Sequence, residues 1–412
     1  MNSTARTILL MAALIAIAPT ARSADKPVTL KDAYRDHFLV GAAINRNMAT
    51  GTAGRRSAEQ TSQDVAFIKE QFNQISPEND LKWQLVHPRE GAEGYDFAPA
   101  DAFVDFGLSN RMYVIGHTLV WHSQTPNWVF AGTNQPPGAA NAATTDAPRD
   151  WQPGREFGGG FGRGGFTGPR ASREELLQRM RDHIHAVVGR YKGRIKSWDV
   201  VNEAIADGTG TNVLRATPWS EIIGPDFVAK AFQYAHEADP DAILRYNDYG
   251  LENPVKRRKL IDLIKSLQAQ KVPVHAIGSQ AHVNVSTTFE TMDQALTEMA
   301  TLGLPIHITE LDVNSAAAGQ RGTGADVSAN ATTTQGGLVD DANKRLADAY
   351  TGIFKAFVKH RSSVKVVTFW GVNDVVSWRA AGKPLLFDGE NKPKPAFDAV
   401  IRAATGGLSK SP

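Results

Sequence analysis

The 412-residue chain is expected to fold as a single-domain α/β protein, a (β/α)8 or TIM barrel with long loop insertions on its strand-to-helix face. Three observations carry that expectation. Short apolar or β-branched runs recur eight times, stretches with helical spacing lie between them, and polar residues gather where the runs stop. Strand–helix alternation argues for a parallel sheet covered by helices, and eight units in about 370 residues match a closed barrel. An open doubly wound sheet is the alternative, but no Gly-x-Gly-x-x-Gly follows the first run.

The eight runs are Phe38–Ala43, Phe72–Ser76, Tyr113–Leu119, Ile195–Val201, Ala242–Asn247, Ala276–Gln280, Pro305–Glu310 and Val364–Trp370. Their length and β-branched content suit strands buried on both faces. Between them, Leu176–Val188, Leu260–Leu267 and Leu346–Val358 place apolar residues at helical spacing. Ser172-Arg173-Glu174-Glu175 has the form of a capping box, and a second helix start is expected at Thr61 or Ser62. Residues 131–170 hold 10 of the 36 glycines and 5 of the 21 prolines and follow the third run. That composition cannot build a core and reads as a loop insertion. Residues 315–340, rich in Ala, Gly and Thr, follow the seventh run. In a barrel both insertions rise from the face that carries catalytic groups.

The first 24 residues read as an address rather than as part of the fold. Arg6 precedes the apolar run Ile8–Ala18, and Ala21-Arg22-Ser23 resembles a cleavage site, the pattern of a secretory signal peptide. The run is too short to span a bilayer, although an uncleaved anchor is the alternative. Residues 25–405 are then the folded unit, and export predicts a secreted or periplasmic protein. Removing the leader takes away Arg6 and Arg22 and no acid, so the +2 formal charge of the whole chain falls to zero. A neutral surface offers no footprint for nucleic acid or an anionic membrane. The absence of cysteine excludes disulfides, thiolate metal sites and a cysteine nucleophile. No cofactor or metal is called for, and a monomer is expected.

The polar strand ends carry the chemistry. The second run ends in Glu78, Asn79 and Lys82, the third in His117 and Trp121, and the fourth in Asn202 and Glu203. The sixth ends in Gln280 and His282, the seventh in Glu310 and Asp312, and the eighth leads into Trp370 and Trp378. On a barrel these converge on one rim, with Glu203 and Glu310 facing each other across the mouth. Paired carboxylates suit glycoside hydrolysis, one as acid–base and one attacking the anomeric carbon or activating water. Trp faces stack on sugar rings, and amides, imidazoles and Lys hydrogen-bond hydroxyls.

Six of these segments resemble, in order, the motifs of glycoside hydrolase family 10, the endo-β-1,4-xylanases. They are Ser76–Trp83, Gly116–Gln124, Trp198–Ala204, Gln280–His282, Ile308–Val313 and Trp370–Trp378. The resemblance implies a (β/α)8 barrel that cleaves β-1,4-xylosidic bonds inside xylan or xylo-oligosaccharides with retention. It makes Glu203 the general acid–base and Glu310 the nucleophile, with carboxyl groups ~5–5.5 Å apart as retaining enzymes require. It gives Asn202 the sugar 2-hydroxyl, His282 the support of Glu310, and Asp312 the orientation of His282. Glu78, Asn79 and Lys82 become ligands for sugars on the non-reducing side. His117 and Gln280 touch the sugar at the cleavage site, and Trp121, Trp370 and Trp378 wall it.

The remaining aromatic and histidine positions have blander expectations. Trp83 and Trp198 are expected to pack. His183 and His185, two apart on a helix, cannot share a face as ligands. The chain departs from the family pattern at Tyr249-Gly250, where Tyr-Asn is expected, and in the length of its third and seventh loops. Competing functions are another β-1,4-glycan hydrolase, a non-catalytic carbohydrate binder, and a metal-dependent hydrolase. The presence of both Glu203 and Glu310 argues against the binder.

Overall fold

The computed structural model describes residues 28–132, 169–315 and 339–405. The expected leader (1–24) and most of the expected loop insertions (131–170 and 315–340) lie outside these residues.

Among the described residues nine strands are formed: β1 (Leu39–Ile44), β2 (Gln74–Pro77), β3 (Tyr113–Trp121), β4 (Ser197–Asn202), β5 (Ile243–Asp248), β6 (Ala276–Ser279), β7 (His282–Asn284), β8 (Ile306–Asn314) and β9 (Val364–Phe369). Eight of them, β1 to β6 with β8 and β9, pair in parallel with their neighbours, and β9 returns to β1 to close a barrel. Helices connect the strands and cover the outside, as right-handed parallel crossovers require. All eight predicted runs are barrel strands. The seventh runs past Glu310 to Asn314 because the short β7 pairs beside its end, with His282 opposite Asp312. Ala281, in left-handed backbone (φ 56°), separates β7 from β6.

Local sequence explains the helix ends. Helix Arg173–Arg190 begins at the expected Ser172 cap, whose hydroxyl accepts from the Glu175 N–H while the Glu175 carboxylate accepts from the Ser172 N–H. The expected start at Thr61 or Ser62 is corrected: helix Ala58–Gln71 starts a turn earlier, because Ser57 and Gln60 form the reciprocal capping box. Thr61 lies inside this helix and is buried. Helices Pro254–Ala269 and Val339–Lys359 contain the other two predicted amphipathic stretches.

The barrel interior is not wholly apolar. Arg245, 1% exposed, reaches Asp199 at 2.6 Å through Nε and His307 Nδ1 at 2.8 Å through a terminal nitrogen. Above this layer, Thr118 donates to the Asp199 carbonyl, and His117 Nδ1 lies 3.0 Å from the Asp199 carboxylate. Trp198 is fully buried against Gly116; a Cβ there would sit 2.2 Å from the indole ring, so glycine is required by the close approach. The register then sets the rim. Trp121 stands beside Asn202, and Asn202 beside Asn247, on three successive strands.

Candidate active site

β4 ends at Asn202, and Glu203 follows with left-handed backbone (φ 58°), its N–H donating to the Asn247 carbonyl at 2.9 Å. That turn carries the carboxylate over the barrel mouth. Glu203 Oε2 accepts from Trp121 Nε1 and Oε1 from Gln280 Nε2, each at 2.9 Å. Glu310, on β8, accepts from Asn247 Nδ2 at 2.8 Å through Oε1, and its Oε2 lies 3.2 Å from His282 Nε2. Both glutamates are buried.

A chain of amides joins the two carboxylates. Gln280 Nε2 also donates to Asn202 Oδ1 (3.3 Å), Asn247 Nδ2 donates to the same oxygen (2.9 Å), and Asn247 goes on to Glu310. The Asn202 carbonyl is therefore filled by two donors, which leaves its Nδ2 hydrogens for a ligand. Behind Glu310, His282 Nδ1 lies 3.0 Å from Asp312 Oδ2, and Asp312 also accepts from Trp378 Nε1 and Arg379, each at 2.8 Å. On the other side of the mouth, Lys82 Nζ donates to Asn79 Oδ1 (2.9 Å) and sits 5.1 Å from the centre of the Trp121 ring. Asn45, Glu78, Trp370, Val376 and Trp378 line a pocket that opens beside this group. Trp370 meets the His117 ring edge-on at 5.3 Å.

Comparison with known proteins accords with this geometry. The model for glycosyl hydrolase family 10 matches residues 29–403. The chain belongs to glycosyl hydrolase family 10. Endo-1,4-beta-xylanase B of Paenibacillus barcinonensis is 37% identical over 381 residues, 90% of this chain and 97% of the relative. A family 10 endoxylanase retrieved from a sugarcane soil metagenome superposes with a TM-score of 0.75 at 35% identity, covering 90% of this chain and 99% of the other. A mutant of an intracellular xylanase from Thermoanaerobacterium saccharolyticum, in complex with xylotetraose, gives 0.72 at 31% identity, covering 91% and 98%.

In this family 10 hydrolase the electrostatics follow the hydrogen bonds. Burial alone would raise the Glu310 carboxyl, but the His282 hydrogen bond and the His117 and His282 charges outweigh it and hold Glu310 below the ordinary carboxylate range. Burial likewise works against a charged His282, yet Asp312 and the hydrogen bonds to Asp312 and Glu310 push the imidazole up to about 9. An imidazole with a carboxylate at each nitrogen is fully satisfied only when both nitrogens carry protons. Arg379 and His282 overcome burial at Asp312 and lower its carboxyl. Burial pushes Glu78 up to about 7 in spite of Lys82, and lowers Lys82 in spite of Glu310 and Glu78.

The structure brings every predicted site residue of the family 10 chain to the one rim. Trp121 and Trp378 are half-buried with their indole N–H groups on carboxylates, whereas Trp83 and Trp198 are buried and pack as expected. Trp83 stacks on His183 at 3.7 Å between ring centres. His185 instead lies at the surface, 3.2 Å from Glu237. Two residues given no role by sequence join this network. Asn247 bridges Glu310 and Asn202, and Arg379 neutralises Asp312. Their signal was position alone, at the end of the fifth strand and one residue after Trp378.

Proposed function

We propose that this family 10 hydrolase is an endo-acting β-1,4-xylanase that cleaves xylan with retention, using Glu203 and Glu310 in a double displacement. The observation that carries the reading is the pair of buried carboxylates joined by the amides of Gln280, Asn202 and Asn247, with the cation side of the network behind Glu310. Glu310, kept ionised, attacks the anomeric carbon as the glycosidic C–O bond breaks, and Glu203 gives its proton to the departing oxygen. Glu203, now a base, takes a proton from water, which attacks the anomeric carbon and releases Glu310. Asn202 Nδ2 is placed to hold the sugar 2-hydroxyl, a contact that strengthens in the transition state. Trp121, Trp370 and Trp378 form the walls for the sugar rings. His117, Gln280, Glu78, Asn79 and Lys82 supply polar contacts.

Residues 25–405 form the catalytic unit in this reading, acting as a monomer. Residues 1–24 direct export to the periplasm or medium. The intact mass of the exported protein tests the leader; retention of residues 1–24 would refute it. The activity is tested on xylan and on a soluble cellulose derivative, wild type against Glu310→Ala. Xylan hydrolysis is expected from the wild type and a loss of several orders of magnitude from the variant. Preference for the cellulose derivative would make the protein a different β-1,4-glycan hydrolase, and undiminished hydrolysis by the variant would remove Glu310 from the mechanism.

A further inference from the structure

Glu203 holds its carboxylate from a backbone conformation (φ 58°) that side chains other than glycine, asparagine and aspartate seldom adopt. Such a residue persists only where its surroundings fix it. The fixing groups lie on both sides. Before it, the Glu203 N–H is tied to the Asn247 carbonyl. Two residues on, the Ile205 N–H is shared between Tyr246 Oη (3.0 Å) and Asp248 Oδ2 (3.2 Å), and Tyr246 Oη donates to that same Asp248 oxygen at 2.6 Å. Tyr246 and Asp248 are fully buried.

A bare carboxylate at that depth is costly, and Lys256 offsets part of that cost. Lys256 Nζ lies 2.9 Å from Asp248 Oδ1, which also accepts from the Tyr249 N–H. The same ammonium donates to Asp207 at 2.9 Å and sits 3.2 Å from the centre of the Tyr249 ring. Asp207 belongs to the segment that leaves Glu203 and doubles back, with Ile205 bridged to Leu214 and the Arg215 N–H donating to the Ala204 carbonyl. Arg215 closes the loop onto Asp207 and Tyr249 Oη, and Lys259 holds the Ala206 and Gly208 carbonyls. The first turns of helix Pro254–Ala269 thus grip the segment that follows the acid–base residue.

We propose that Asp248, with Tyr246 as its relay and Lys256 as its counter-ion, is the positioning residue that aims Glu203 at the leaving oxygen. The proposal rests on the reading of Glu203 as the general acid–base. Proton delivery requires the carboxyl within hydrogen-bond reach of the breaking C–O bond, and a displacement of about 1 Å can cost about 10²-fold. The loss must concentrate on leaving groups that need a proton.

Asp248→Asn and Tyr246→Phe test this against a 2,4-dinitrophenyl β-xylobioside, whose phenolate departs unprotonated, and against xylo-oligosaccharides. The expected result is a fall in kcat/KM of roughly 10- to 100-fold on the oligosaccharides and less than about threefold on the aryl glycoside. Azide, which attacks without a base, is expected to raise kcat on the aryl glycoside. Equal losses on both substrates would reduce Asp248 to a structural part, and no loss would overturn the proposal outright. Tyr246→Phe removes one oxygen and keeps the ring, so it decides the matter if Asp248→Asn does not fold. Glu203→Ala is run beside them. If it shows no split between substrates, the assignment of Glu203 fails; if it shows the split and the two variants do not, only the positioning role fails.

Discussion

Replacing His282 by glutamine removes the one side chain that faces both Glu310 and Asp312. His282 stands at about 9 in the folded protein against an ordinary value of 6.5. That gap of about 2.5 units, at 1.36 kcal/mol each, corresponds to about 3 kcal/mol of folding stability. The sign follows from the direction of the shift. A group raised on folding contributes fully below its unfolded value and loses that contribution as pH rises through the folded value. The stabilisation is therefore complete near pH 6 and gone a little above pH 9. The part of the lowering at Glu310 and Asp312 that comes from His282 expresses this energy again and is not added to it; Arg379 at Asp312 and His117 at Glu310 act separately. Urea unfolding of wild type and His282→Gln across pH 6 to 10 reads it directly. The stability gap between the two proteins is expected to shrink by about 3 kcal/mol over that range. The acidic limb of kcat/KM moves upward in the variant, because Glu310 loses the hydrogen bond and charge that keep it ionised. A gap independent of pH, or an acidic limb left in place, would refute the charge state given to His282.

Gly116→Ala places a Cβ 2.2 Å from a Trp198 ring with no exposed surface, so the ring or the backbone must shift; a loss of about 1–3 kcal/mol is expected in urea unfolding. Dialysis against a chelator is expected to leave xylan hydrolysis unchanged, since among the described residues no three His, Asp or Glu side chains are grouped to hold a metal ion. Activity lost to the chelator and regained with a divalent cation would contradict that.

The strand ends were legible in the sequence because each is a local signal: an apolar run stops, and polar residues follow within a few positions. Glu203, Glu310 and His282 are of this kind. Asn247 was not legible as a bridge, because its partners Asn202 and Glu310 meet it only through the pairing of β4 with β5 and the closure of the barrel. Arg245 lay in a run that reads as an ordinary strand; its counter-ion Asp199 is on another strand, and no periodicity links them. The start of helix Ala58–Gln71 was missed for a different reason. Thr61 and Ser62 are both competent caps, and only the reciprocal bond between Ser57 and Gln60 decides among three candidates.

In the proposed double displacement, the division of labour between Glu203 and Glu310 fits what surrounds the carboxylates at the ends of β4, β5 and β8. Asp199 meets Arg245, Asp248 meets Lys256, Asp312 meets Arg379 and His282, and Glu310 meets His282. Each of these carboxylates has a cation at hydrogen-bond distance, and at Asp199, Asp312 and Glu310 the match outweighs burial and favours the ionised form, whereas burial still raises Asp248 in spite of Lys256. Glu203 is hydrogen-bonded instead by an indole and an amide, both neutral. A cation in that place would hold Glu203 as a carboxylate throughout the cycle and deny it the proton it must give away. Neutral donors orient the group without committing it to one charge. The donor sets thus fit the two proposed roles. Glu310, the proposed nucleophile, is paired with an imidazolium, and Glu203, the proposed acid–base residue, is held by neutral groups.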